Sequence, residues 1–230
     1  MNLKDILNNV LSQSGFLERG SFTTASDPDS LQMVAIANRA AYEIRDYFKW
    51  TELRKQAEIN IQPGQSRYQL PADFQDLVPN SAWEGDGERQ VEWPVPDGRW
   101  FMYKFTSYSA GGTYRIRKYG DEIEVISDAE DSTAFSYEYI SKWVVQDAQG
   151  ARKESFTADD DEFILDDQVL VLGIQAHWAQ TKLMPQYQEW YANYNRKMQE
   201  AIGRSSSGKT IGGFQRGMGR RSPYYPTWQK

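Results

Sequence analysis

TELRKQAEINIQPGQSRYQL, residues 51–70, is where the hydrophobic period of this chain changes. Upstream, Leu31, Val34, Ala35, Ala41, Tyr42, Ile44 and Phe48 keep one apolar face at helical spacing, predicting a long helix that ends near Trp50 or Leu53. Downstream, Ile59 and Ile61, then Tyr68 and Leu70, alternate on either side of Gln62-Pro63-Gly64-Gln65. Proline then glycine at the two central positions is the type II turn signature, so the spacing predicts a β-hairpin.

Working outward towards the N-terminus, Asp27 before Pro28 marks the start of the long helix, because Asp caps and proline has no N–H to leave unpaired in the first turn. Leu3, Ile6, Leu7, Val10 and Leu11 predict a shorter helix stopped by Gly15. Towards the C-terminus, alternation in 113–118 and 123–126 around Gly120-Asp121, and again over 135–145, predicts further strands. Asp166 and Asp167 then open a helix carrying Val169, Leu172, Ile174, Ala176 and Leu183, which Pro185 kinks or breaks before a last helix over 187–202. The class that follows is α+β: an antiparallel helical bundle built from residues 1–56 and 166–202, a β-rich domain inserted over 57–165, and an extended basic arm over 203–230.

The arm differs in composition from everything before it. It holds six Lys or Arg, six Gly and no Asp or Glu, and since the whole chain carries −6, residues 1–202 carry −12. An acidic body repels the nucleic-acid backbone. Cysteine is absent, so disulfides, thiol nucleophiles and thiolate metal sites are excluded. The longest apolar run, around Val169, is far below the ~20 residues that span a bilayer, and the N-terminus lacks a signal-peptide core, so the chain reads as soluble and unprocessed.

Motifs for catalysis are sparse. His177 is the only histidine and falls where a helix surface or a partner helix would take it, with no G-x-S-x-G elbow elsewhere. The run Asp159-Asp160-Asp161-Glu162 followed by Asp166-Asp167 lacks the spacing of a calcium loop and reads as a solvated loop. GRSSSGKT, residues 203–210, matches the phosphate-loop pattern, but a polar helix precedes it and a glycine-rich tail follows, where a working loop joins a strand to a helix. Aromatics crowd the β region: Trp83, Trp93, Trp100, Phe101, Tyr103, Tyr108, Tyr137, Tyr139 and Trp143. They read as core and subunit interface, with a glycan- or nucleic-acid-binding platform as the alternative. No cofactor or metal is called for, and no enzyme is read.

YFKWTELRK (47–55), YQLPADFQDL (68–77) and FSYEYISKWVV (135–145), in that order and followed by an acidic loop and a final long helix, resemble the head-to-tail adaptor, or connector, proteins of short-tailed bacteriophages, of the tail tubular protein A type. The resemblance spans roughly residues 31–202. It implies a structural virion protein at the head–tail junction, made in the host cytoplasm and not at a membrane. About twelve copies would form a homo-oligomeric ring under the portal protein, extend a channel through which double-stranded DNA passes without specific binding, and seat the downstream tail (nozzle) protein. It further implies that the C-terminal arm holds the portal, through Arg204, Lys209, Phe214, Arg216, Arg220, Arg221, Tyr224, Tyr225 and Trp228. A segment with so few apolar residues cannot fold alone but can order on a partner, with aromatic anchors and cations against an acidic groove.

Overall fold

The computed structural model describes residues 1–85, 89–91, 93–105, 115–126 and 133–207. Two hydrophobic cores organise them, one mainly helical and one made of sheets.

In the helical core, α1 (Leu3–Gln13) buries the five apolar residues its spacing announced and ends before Gly15, whose φ of 78° suits glycine. α2 (Pro28–Tyr47) starts where expected, with the Asp27 carboxylate accepting from the Ser30 N–H. Its buried face overlaps the one read from the sequence only in part, at Ala41 and Ile44. Met33, Ile36, Ala37, Ala40, Ala41 and Ile44 point inward, while Leu31 is 55% exposed. The small alanines win this face because a helix must approach closely there: α4 (Asp167–Thr181) is buried on nearly all sides. A Cβ placed on its Gly173 would lie 3.5 Å from the Ala40 Cβ and 3.1 Å from the Tyr194 ring. The chain breaks around Pro185, as predicted, and α5 (Tyr187–Ser207) runs five residues beyond the expected boundary at 202. Gly203 and Arg204 are therefore helical.

The sheet core corrects the hairpin reading. Gln62–Gln65 is the predicted turn, with the Gln65 N–H donating to the Gln62 carbonyl at 3.1 Å and Gly64 at φ 78°. Yet β1 (Arg54–Ile61) and β2 (Arg67–Gln69) do not pair. β1 runs antiparallel to β8 (Thr133–Ser141) through eight registered positions, whereas β2 pairs with β7 (Glu122–Ile126), which pairs with β6 (Arg115–Tyr119). A three-residue strand cannot satisfy an eight-residue one, so the turn links two sheets instead of closing a hairpin. The second edge of β8 takes β3 (Phe74–Leu77) at one end and β4 (Trp83–Glu84) at the other, with β5 (Arg89–Gln90) beyond β4. Ile59, Ile61, Phe135, Tyr137 and Tyr139 from this sheet meet Ile116, Ile123 and Val125 from the other, with Trp93 in the same core.

Two further differences bear on function. A helix, α3 (Asp97–Phe105), interrupts the region read as all strand. The strand read over 135–145 stops at Ser141, and β9 (Val145–Gln146) joins β10 (Arg152–Lys153) and β11 (Glu162–Phe163) in a separate small sheet. Val144, Val145, Phe156, Phe163 and Leu165 from this stretch pack in the helical core.

Candidate functional site

The carboxylate cluster is only in part the solvated loop read from the sequence: Asp160 and Glu162 are exposed, but Asp159 and Asp161 are not. The Asp161 side chain is fully buried, accepts from the Thr157 and Ala158 N–H groups at 2.7 and 2.8 Å, and lies 2.6 Å from Lys153 Nζ. Asp159 accepts from the Phe22 and Thr23 N–H groups. Burial pushes its carboxyl up, but hydrogen bonds from Ser21, Thr23 and Phe22 outweigh that and hold it below the usual carboxylate range. The carbonyls of Asp159 and Asp161 accept from the first N–H groups of α1, and Asp166 caps α4. These acids thus close helix ends and loops, and among the described residues no three His, Asp or Glu side chains gather as a metal would require.

His177 is buried in α4 with Nε2 2.7 Å from Glu43 Oε2 on α2, and Thr181 Oγ1 donates to the His177 carbonyl. The partner-helix reading is thereby the one realised. Beside this pair, Tyr47, Tyr187, Tyr191 and Tyr194 line a groove of about 510 Å³ between α2 and α5. Burial raises the Tyr194 hydroxyl pKa, with the Glu43 carboxylate adding to it.

Of the β-region aromatics, Trp93, Trp100, Tyr137 and Tyr139 are core. Tyr139 donates to Asp73, which also accepts from Ser141 and Lys55. Tyr103 lies under the Arg115 guanidinium, Trp143 under the Lys55 ammonium, and Tyr108 is outside the described residues. Two are exposed. Trp83, 41% exposed, edges a groove of about 680 Å³ that also contains the Arg54–Glu138 ion pair. Phe101 belongs to an apolar face that sequence reasoning missed, the outer side of α3, where Phe101 stacks on Phe105 at 6.3 Å and Phe105 is 78% exposed. The inner side of α3 carries buried Trp100, which stacks on Arg117, itself paired with buried Glu124. The signal was present: Pro96-Asp97 can open a helix, and Trp100, Phe101, Lys104 and Phe105 follow at three- and four-residue spacing.

Large apolar side chains are exposed on the helical core as well. Leu17 and Leu183 are each 89% exposed, and Phe16 packs edge-on against Trp178. Lys182 lies over the same Trp178 ring and pairs with Asp29, which also pairs with Arg19.

Of the residues assigned to the arm, Arg204 sits on α5 and pairs with the Asp166 that caps α4, while its neighbour Ser205 is hydrogen-bonded to Thr51 and Glu52. Arg204 therefore fastens the end of α5 to the body. Lys209, Phe214, Arg216, Arg220, Arg221, Tyr224, Tyr225 and Trp228 lie outside the described residues, as do Gly208, Lys209 and Thr210 of the phosphate-loop pattern. No described helix is long and apolar enough to cross a membrane.

Compared with known proteins, residues 1–217 match the family model described as SU10 adaptor protein. No curated protein matches the chain.

Proposed function

The chain belongs to the SU10 adaptor protein family, and from the structural role at a phage head–tail junction that this membership brings, we propose that its copies form a ring beneath the portal. The ring extends the DNA channel and seats the next tail component, while residues 208–230 hold the portal. The family match, which covers the body and reaches into the tail, carries this reading. It names adaptor proteins and does not single out the tail tubular type.

Composition supports the division of labour. Residues 208–230 hold five cations and no acid, leaving −11 on residues 1–207. A body so charged lets duplex DNA pass without gripping its phosphates, and a basic, aromatic tail suits an acidic groove on a protein partner. Anchoring of Arg204 and Ser205 in the body sets the start of the arm at residue 208 in this proposal.

Removing residues 208–230 is expected to leave the melting transition unchanged and to abolish capture by purified portal in native mass spectrometry. Capture at wild-type strength by the truncated chain would sink the arm. The exposed Trp83 groove favours one other reading, a glycan platform. It requires glycan-array binding that Trp83→Ala removes.

A further inference from the structure

β1 stands at the end of its sheet, with β8 on one side and no strand of the described residues on the other. The register says which of its backbone groups look outward. Glu138 directs its N–H to Ser81 Oγ and accepts at its carbonyl from the Val78 N–H, and the Ala134 carbonyl accepts from the Gly85 N–H, so both residues bond on the side of β8 away from β1. Gln56 lies opposite Glu138 and Asn60 opposite Ala134, which turns their own N–H and C=O groups, and those of Glu58 between them, away from β8. All three residues are exposed, and among the described residues nothing accepts from their N–H groups. Neither a proline nor a bulge, the usual devices that spoil an edge for a further strand, occurs in these eight residues. At the edge of the other sheet, by contrast, the Val95 N–H donates to the Ile116 carbonyl of β6.

The end of α5 is fastened at the start of this open edge. Ser205 Oγ accepts from the Thr51 N–H at 3.2 Å and donates to Glu52 at 3.0 Å, just before α5 ends at Ser207 and just before β1 begins at Arg54. The chain that follows Ser207 therefore sets out beside the first residue of β1. An extended segment continuing from there along the edge runs parallel to β1. At ~3.3 Å per residue the ten residues 208–217 span about 33 Å, against about 26 Å for β1. The family match ends at the same place, continuing past α5 to residue 217 and leaving 218–230 outside. Charge agrees: Lys209 and Arg216 meet no acid within 208–217, while Glu52 at the exit and Glu58 along the edge are both exposed. The first proline of the tail is Pro223, beyond this segment.

We infer that residues 209–216 add to β1 as a parallel edge strand of the same chain, pairing with the outward groups of Gln56, Glu58 and Asn60. The strand straps the start of the tail to the sheet core. It leaves Arg220, Arg221, Tyr224, Tyr225 and Trp228 to reach the portal, a consequence that rests on the portal reading above although the strand itself does not. Gly208, Gly212, Gly213 and Gly217 lose more freedom on ordering than other residues would, which offsets much of the hydrogen bonding. The strap therefore opens locally and leaves the melting transition of the body where it is.

Residue-resolved amide exchange on the full chain, without portal, tests the strand. Ile211→Pro/Gly212→Pro places proline at two consecutive positions, so whichever of them faces β1 loses its N–H, and neither change touches the body. The Gln56, Glu58 and Asn60 amides are expected to exchange roughly tenfold or more faster in this variant than in the parent, with α4 amides the same in both. Equal rates at the three amides overturn the inference and leave the portal reading standing. Protection that fades on dilution, together with a dimer in native mass spectrometry, overturns it too, because the edge would then hold a second copy's tail. Protection lost in the variant at every concentration supports the strand, and it does so even if portal capture survives removal of 208–230, the result that would sink the portal reading alone.

Discussion

Asp73 accepts from Lys55 Nζ at 2.6 Å, Ser141 Oγ at 2.7 Å and the Tyr139 hydroxyl at 2.8 Å, tying β1, β8 and the loop before β3 to one carboxylate. Burial pushes its carboxyl up, and these three hydrogen bonds with the Lys55 charge more than reverse that. Asp73→Asn keeps the shape but loses the charge, and is expected to cost about 2–3 kcal/mol in urea unfolding. The same shift predicts an acid dependence. A carboxyl lowered by folding stabilises fully above its unfolded value of roughly 4, and that contribution is lost as pH falls through the lower folded value. Glu124 is held down by Arg117 and Lys104 against its own burial, and Asp27, bonded to Ser30 and Arg19, lies at about 2. Unfolding midpoints should therefore fall between pH 5 and pH 2, and fall less in Asp73→Asn than in the parent; equal slopes would remove Asp73 from the account. Gly173 offers a second residue-scale test. Alanine there gains helix propensity of about 1 kcal/mol but meets the buried Tyr194 ring at 3.1 Å, backed by Tyr191. Gly173→Ala is expected to destabilise by about 1 kcal/mol, and to become stabilising in a Tyr194→Leu background, measured as a double-mutant cycle. Neither contact was legible in sequence, since both depend on residues brought together from distant segments.

At the scale of elements, the caps and turns are local and were readable: Asp27 and Asp166 sit where they start helices, and Gly64 sits where its turn needs φ 78°. Gly64→Ala is expected to cost about 1 kcal/mol, and because the turn joins two sheets, the loss should appear in the sheet core. Hydrogen exchange slowed in β1 and β8 of the parent should accelerate there while α4 is unaffected; equal acceleration in α4 would mean that the two cores unfold as one. Strand partners were not readable. Alternation at Ile59 and Ile61 says that β1 has an apolar face, but the choice of β8 over β2 follows from length and register across more than seventy residues. The shift in the α2 face has a similar cause: Ala41 and Ile44 are buried as read, but Leu31 is exposed while Ala37 and Ala40 are buried, because α4 comes close enough to need small side chains.

For the whole molecule, the division between a −11 body and a basic tail governs behaviour towards DNA. At about 150 mM salt, where the Debye length is ~8 Å, the chain ending at Ser207 is expected not to retard duplex DNA in a gel. Retardation would place a phosphate-binding surface on the body. Composition and local chemistry determined by themselves that this protein is α+β, where its helices and turns begin, that its tail is a cationic segment unlike the rest, and which adaptor-like motifs it carries. These are properties of neighbouring residues, set by period, capping and charge. Only the tertiary structure decided that the Pro63-Gly64 turn crosses between sheets, that Asp159 and Asp161 hold loops closed, that Arg204 pairs with Asp166, and that Leu183 and Phe105 face solvent. Exposure and pairing are set by what the rest of the chain leaves uncovered, and a leucine in a left-handed cap looks in sequence like any other leucine.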